Sequence, residues 1–371
     1  MLDNGSPPKA LSRESGPVPR VGLQSHAEGK DSRPLQVFVQ QRVESRVGFG
    51  SVRLQSQLTV QILQAPMLSR EAQRKASGGD RLLGFSAIDE AGKIHEEGFR
   101  RVLDFNLSAG AHGFWVAGGT GESVLLEDEE NRQLAGIAAE QVSGRGVVIM
   151  HVGAATTVRA AALAEHAANV GVTAICCVPP FFYRRTDEEI VEYYRVVAGA
   201  ANLPLFVYNL PGMTGVEITV ELMGKIQESV PQLVGLKHSS SLFANVHEFA
   251  QMGLQCFIGS SALMLPALSL GAVGCVDGPP LMAPEAWMKI WQAHKAGDQG
   301  AAAAAQSEAR KVISLARHFN GGSYFGIMKA VLSHRIGVDC GDPRLPAAPL
   351  TQAQKTEVIG LAEGLGLHPV V

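Results

Sequence analysis

The chain has 371 residues, 46% apolar, 18% charged and 6% aromatic, with a formal net charge of −3 and a pI near 6.4. Such a composition belongs to a soluble globular protein; it offers no basic field for nucleic acid or an anionic membrane, and no run of about 18 apolar residues to span a bilayer. Five cysteines, two of them adjacent at Cys176 and Cys177, make neither a disulfide framework nor a C-x-x-C metal knuckle, which fits a reducing compartment.

The charges are uneven. Residues 1–81 hold 12 Lys and Arg against 7 Asp and Glu, a net +5, leaving 20 against 28, or −8, for the rest. This stretch is rich in Ser, Gln, Arg and Pro and has no acid between Glu44 and Glu71, so it reads as a poorly structured N-terminal extension. Two roles stand open for it. An organelle presequence has this composition, whereas a plain disordered extension or an upstream start codon better explains Asp3, Glu14, Glu28 and Asp31, since presequences avoid acids. The expected location is cytoplasmic, with organelle import through residues 1–81 as the alternative. Residues 52–63 alternate partly, as a strand would, and nothing is built on them.

From about residue 82 the chain settles into a βα rhythm. Short apolar runs stand at 82–88, 113–117, 147–152, 174–178, 205–208, 234–237, 255–258 and 274–276. Helical patterns lie between and after them at 125–141, 157–170, 187–201, 220–229, 242–251, 261–270 and 284–296, and Thr186 with Glu189 marks a capping box. Strands about 30 residues apart suit parallel βαβ units, and eight such units close most naturally into a TIM (β/α)8 barrel. The expected organisation is a barrel over residues 82–298, then a C-terminal helical extension over 299–371 with helices at 301–317, 326–334 and 351–365. The first strand is the thinnest, because Arg81 leaves little apolar length before Gly84.

In such barrels the working groups sit at the carboxyl ends of strands. The second strand ends in Gly118-Gly119-Thr120-Gly121-Glu122, a small-residue turn whose backbone N–H groups can gather round an anion while Thr120 adds a hydroxyl. The fifth ends in Val207-Tyr208-Asn209-Leu210-Pro211-Gly212, placing a phenol at the mouth. The sixth ends in Val234-Gly235-Leu236-Lys237, placing an amine at the end of a buried run. Taken singly, each has an ordinary structural explanation: a tight turn, a tyrosine capping the core, a lysine snorkelling to water. Together they point an anion cradle, a phenol and an amine into one mouth. A desolvated amine stays nucleophilic at neutral pH, as Schiff-base chemistry requires.

This set, G-x-T-G-E, Y-N-x-P-x-x-x-G and G-x-K, resembles the dihydrodipicolinate synthase and N-acetylneuraminate lyase family of class I aldolases. The similarity runs from about Leu82 to Pro349 and includes Val178-Pro179-Pro180-Phe181-Phe182-Tyr183 and Pro343-Arg344-Leu345-Pro346. The resemblance implies that Lys237 forms an imine with the keto group of pyruvate or another 2-oxo acid. It implies that Tyr208 is the general acid/base and that Gly119 and Thr120, with Gly118, hold the carboxylate. It further implies that no metal or organic cofactor is needed, and that the chain assembles as a homotetramer or homodimer.

The departures from the family pattern bear on the substrate. Gly119 stands where many members carry Thr or Ser, so one hydroxyl of the proton relay is absent. Phe182 matches a tyrosine that the synthases lend across their dimer interface, and Met213 stands where they place an arginine; both oppose dihydrodipicolinate synthesis. The sialate lyases carry an Asp-Glu pair after strand seven that falls here on Ser261-Ala262. Ser261 and Asp277, which ends strand eight, are the remaining candidates for substrate hydroxyls, although Asp277 also suits a cap on the turn before Pro279-Pro280.

His151 and His238 line or pack the mouth, with no H-E-x-x-H or i, i+4 ligand pair among the eleven histidines. Cys176 and Cys177 read as small buried hydrophobes, and Gly321-Gly322 before Tyr324 as a turn. The expected activity is a pyruvate-dependent lyase acting on an acylneuraminate-like or 2-keto-3-deoxy sugar acid. Three alternatives are the synthase reaction of pyruvate with aspartate semialdehyde, a sugar-acid dehydratase, and a barrel that keeps Lys237 without turnover.

Overall fold

The computed structural model describes residues 81–83, 86–89, 92–319 and 323–370. The extension before residue 81, the 52–63 run and the turn at Gly321-Gly322 lie outside them.

Eight parallel strands close a barrel in sequence order. They are β1 (Arg81–Leu83), β2 (Gly113–Val116), β3 (Val147–His151), β4 (Ala174–Cys177), β5 (Leu205–Asn209), β6 (Leu233–His238), β7 (Gln255–Ile258) and β8 (Gly274–Val276). The helix after each strand forms the outer layer: α1 (Glu96–Ser108), α2 (Asp128–Val142), α3 (Thr157–Asn169), α4 (Asp187–Ala201), α5 (Val220–Ser229), α6 (Asn245–Gln251), α7 (Met264–Ser269) and α8 (Pro284–Lys295). Three further helices follow, α9 (Gln299–Ala316), α10 (Tyr324–Ile336) and α11 (Gln352–Gly364). The expected barrel with C-terminal helices is therefore present.

Strand parity sorts the side chains. Trp115, Ile149, Cys176, Phe206, Tyr208 and Phe257 fill the barrel interior, whereas their neighbours Phe114, Val148, Cys177, Val207 and Cys256 join the layer between strands and helices. Leu236 belongs to that outer layer, so Lys237 points inward and His238 outward.

Local chemistry sets the helix starts. Thr186 and Glu189 make the expected reciprocal capping box on α4, Thr219 accepts from the Leu222 N–H to cap α5, and Asp298 accepts from the Ala301 N–H to cap α9. The helix expected from residue 125 begins at Asp128 instead, because Ser123–Leu125 forms a 3-10 turn and Glu127 supplies the cap.

Two expectations need correcting. The first strand pairs through Arg81–Leu83, before most of the expected 82–88 run; Ile88 instead bridges Ile94 in antiparallel fashion, and Ser86 is turned inward to donate to the Gly121 carbonyl at 3.1 Å. Helix α1 is an element that the expected helices do not include. Its core face is only Gly98, Phe99, Val102, Leu103 and Asn106, and its N-cap is an unusual one, His95, whose Nδ1 accepts from the Gly98 N–H.

Helix α10 is buried nearly all round, with Ile327, Met328, Lys329, Ala330, Val331 and Leu332 all in the interior, and it packs against α1 and α11. It brings the C-terminal extension up to the barrel mouth.

Candidate active site

The β5–β6 register pairs Tyr208 with Lys237, so phenol and amine enter the barrel side by side. The Lys237 Nζ stands 4.3 Å from the centroid of the Tyr208 ring and 5.8 Å from that of Trp115. Both residues are buried, Lys237 at 5% and Tyr208 at 4% exposure. Aromatic faces this close stabilise a cation on the nitrogen, which is the charge an iminium carries.

The turn after β2 comes up against the phenol. Ala117 and Glu122, at φ +52° and +58°, bracket the 3-10 turn Gly119–Gly121 in left-handed conformations. A Cβ at Gly119 would lie 3.3 Å from the Tyr208 hydroxyl, so the two features meet with little space for a larger residue. Trp115, Gly118, Gly119, Thr120, Lys237, Val276 and Asp277 line one narrow cleft. A larger cavity near Arg101, Phe105 and Glu285 lies away from these residues, and its buried Arg335 is committed to the Met282 carbonyl and Glu285.

Of the residues expected at the site, Gly118, Gly119, Thr120, Lys237 and Asp277 share the cleft and Tyr208 abuts it. Asp277 also caps its turn: one carboxylate oxygen accepts from the Ser261 N–H and the other from the Gly278 N–H, each at 2.8 Å. Ser261 does not line the cleft. Its N–H is tied to Asp277 and its carbonyl accepts from Trp287 Nε1 and Gln306 Nε2, which turns the residue into the protein behind Asp277.

The two histidines diverge as strand parity requires. His151 faces inward, edge-on to Tyr208 at 6.0 Å; burial, reinforced by the charge of Lys237, pushes its pKa down to about 4. His238 faces outward. Its Nε2–H donates to the Leu242 carbonyl at 3.1 Å, and its Nδ1 accepts from the Asn209 amide at 3.3 Å. Burial lowers its pKa, opposed by the Leu242 carbonyl and Glu217. The Asn209 amide also donates to Glu217 Oε1 at 2.7 Å, and Ser240 donates to Oε2 of the same carboxylate at 2.7 Å. These bonds pin the ends of β5 and β6 from outside the barrel and hold Tyr208 and Lys237 in register.

The cradle turn is anchored as firmly. Glu122 forms an ion pair with Lys329 of α10 at 2.8 Å, their side chains 0% and 2% exposed. Burial lowers the Lys329 pKa, and Glu122 raises it in part. Lys329 also donates to the Asp342 carbonyl at 2.9 Å, and the Arg344 N–H donates to Glu122 Oε1 at 2.6 Å. The Arg344 guanidinium then grips Glu130 of α2 through two bonds of 2.7 Å. From the same extension, Tyr324 brings its hydroxyl within 2.3 Å of where a Cβ on Gly278 would stand, so a side chain there would have to displace the tyrosine.

Trp115, Asn209, Glu217, Lys329 and Tyr324 were not singled out as site residues from the sequence. Trp115 shares its inward parity with Tyr208 and Lys237, a signal that was available; the Glu122–Lys329 pair left none. The expected small-hydrophobe reading of Cys176 and Cys177 agrees with their complete burial, which pushes both thiols up. Among the described residues no helix is long and apolar enough to cross a membrane.

Across the β4 and β5 loops the character changes. Phe182, at φ +78°, is 84% exposed and stacks edge-on with Tyr183 at 5.0 Å, and Met213 is 82% exposed.

A closed parallel barrel with an amine and a phenol paired at the ends of β5 and β6 defines a class of site suited to carbonyl chemistry. Residues 83–364 match the model of the dihydrodipicolinate synthetase family. The chain is 30% identical over 210 residues, 56% of its length, to 72% of a 4-hydroxy-tetrahydrodipicolinate synthase of Oleidesulfovibrio alaskensis. It is 30% identical over 275 residues, 73% of its length, to 91% of an N-acetylneuraminate lyase of Enterobacter sp.. The fold matches a Ruminococcus gnavus sialic acid aldolase with a TM-score of 0.74 and 24% identity, over 78% of this chain and 98% of that one. The chain belongs to the dihydrodipicolinate synthetase family, and is an enzyme of the lyase type its members represent.

Proposed function

We propose that the protein is a pyruvate-dependent class I lyase whose Schiff-base residue is Lys237. The observation that carries this is the pairing of Tyr208 and Lys237 across β5 and β6, with the Gly119 turn against the phenol. The Lys237 amine adds to the keto carbon of a 2-oxo acid, the oxygen takes up a proton, and water leaves to give a protonated imine. Loss of the proton from the C4 hydroxyl breaks the C3–C4 bond: the far fragment leaves as an aldehyde, and the electron pair becomes the C2=C3 bond of an enamine as the imine pair moves onto nitrogen; protonation at C3 and hydrolysis release pyruvate and restore the amine. Tyr208 moves the protons, and the backbone N–H groups at Gly119 and Thr120 hold the carboxylate with the Thr120 hydroxyl. Neither a metal nor an organic cofactor enters these steps.

The leading substrates are N-acetylneuraminate and 2-keto-3-deoxy sugar acids. Met213 and Phe182 support this, because an apolar rim suits a neutral polyol or acylamino chain better than a second carboxylate. The family relation to both a synthase and a lyase keeps condensation of pyruvate with aspartate semialdehyde as the alternative. The exposed Phe182 and Tyr183 favour a homodimer or homotetramer, which light scattering reads directly.

The test is pyruvate release from a panel of N-acetylneuraminate and keto-deoxy sugar acids, run beside pyruvate consumption with aspartate semialdehyde, for wild type and Lys237→Ala. Turnover of a sugar acid by wild type alone is expected. Turnover retained by Lys237→Ala would contradict the Schiff-base assignment, and consumption of aspartate semialdehyde alone would move the substrate to the synthase reaction.

A further inference from the structure

Two tryptophans are wholly buried, Trp115 on β2 and Trp287 on α8. The Trp287 indole N–H donates to the Ser261 carbonyl at 3.3 Å, as a buried donor ordinarily does. The Trp115 N–H is buried without a hydrogen-bond partner among the described residues. Indole is a donor only, so the amine of Lys237, when protonated, cannot satisfy it. Nor is the ring free to turn elsewhere, since Phe206, Tyr208 and Phe257 hold it edge-on at 5.7, 6.1 and 6.4 Å.

A Cβ at position 118 would stand 3.0 Å from Trp115 Cδ1 and 3.5 Å from Nε1, so the unsatisfied edge lies against Gly118, where only a bare glycine stands beside it. Trp115 lines the same cleft as Gly118, Gly119, Thr120 and Lys237. We infer that the Trp115 indole N–H is a further substrate-binding donor, hydrogen-bonding the carboxylate of the 2-oxo acid from beneath the Gly118, Gly119 and Thr120 turn. This rests on the proposed function and extends it: Gly119 lacks a hydroxyl, and Trp115 supplies a donor from the barrel interior. It also makes Gly118 a matter of access as well as of turn geometry, because any side chain there covers the indole edge.

The test uses the full-length chain, pyruvate and borohydride, with the Lys237 adduct read by intact mass across a range of pyruvate concentrations. Wild type is compared with Trp115→Phe and with Trp115→β-(3-benzothienyl)alanine, an isostere in which sulfur replaces the N–H. The half-saturating pyruvate concentration is expected to rise about tenfold in both variants, the size of a lost hydrogen bond to a charged group, with trapping at saturation retained. Pyruvamide, which has the keto group without the carboxylate charge, is expected to lose much less, so the preference for pyruvate shrinks. If the isostere traps pyruvate with a half-saturation within twofold of wild type, or if pyruvate and pyruvamide lose equally, Trp115 is packing alone and the inference is overturned. Absence of an adduct on wild type itself would overturn the Schiff-base reading, and this inference with it.

Discussion

On the β2 side of the barrel mouth the charged groups are buried or half-buried and answered: Glu122 by Lys329 and the Arg344 N–H, Glu130 by the Arg344 guanidinium. In the loops beyond the ends of β4 and β5 the prominent groups are Phe182 and Met213, more than four-fifths exposed and outside the Asn209–Glu217–Ser240 network that pins the strand end. The difference follows what each side would meet. Every 2-oxo acid presents the same carboxylate and carbonyl, so the half that grips them gains from rigidity. The rest of the substrate varies between members of the family, and the loops that would meet it are free to vary with it.

The contrast can be broken at several points. Removing the proposed proton shuttle has the largest expected effect: Tyr208→Phe should slow turnover by roughly 10²- to 10⁴-fold with little change in stability, and an unchanged rate would exclude Tyr208 from the chemistry. Lys329→Met leaves Glu122 buried without its cation and should cost about 3–5 kcal/mol in chemical denaturation. The double variant Glu122→Gln with Lys329→Met should recover much of that loss; if the single variant costs under about 1 kcal/mol, the turn is not anchored by this pair.

His151 sharpens where the rigid half ends. Its pKa in the folded protein, about 4, lies below the usual 6.5, so the unfolded chain binds the proton more readily. Its contribution is therefore complete above about pH 6.5 and is lost as the pH falls toward 4, by an amount on the order of 3 kcal/mol. A His151→Gln variant should show a flatter stability profile between those values, and an unchanged slope there would remove His151 as its source. The smallest effect belongs to the exposed side. Phe182→Gly removes an exposed ring proposed to pack between copies, so a weakened oligomer is expected in light scattering, and an unchanged one would place the ring outside the interface.

How much was legible in the sequence divides along the same line. The ends of β2, β5 and β6 could be read because strand parity and the turn residues announce them locally. The anchors could not. Glu122 and Arg344 are 222 positions apart, and only the closed barrel and the buried α10 bring them together. Asn209 was visible beside Tyr208, but its partner Glu217 depends on how the loop after β5 folds back and His238 on the β5–β6 register. Ser261 stands outside the cleft because strand-end position says nothing of which way a residue turns once Asp277 takes its N–H. Helix α1 was missed although its core residues Phe99, Val102, Leu103 and Asn106 recur at helical spacing; its histidine cap is not among the usual start residues.

The most direct test of the central claim is intact-mass spectrometry after incubation with pyruvate and borohydride, for wild type beside Lys237→Ala. A pyruvate-sized adduct on wild type, mapped to Lys237 by peptide sequencing and absent from the variant, is the expected result. An adduct of equal yield on both proteins, or none on a folded wild type at saturating pyruvate, would contradict it.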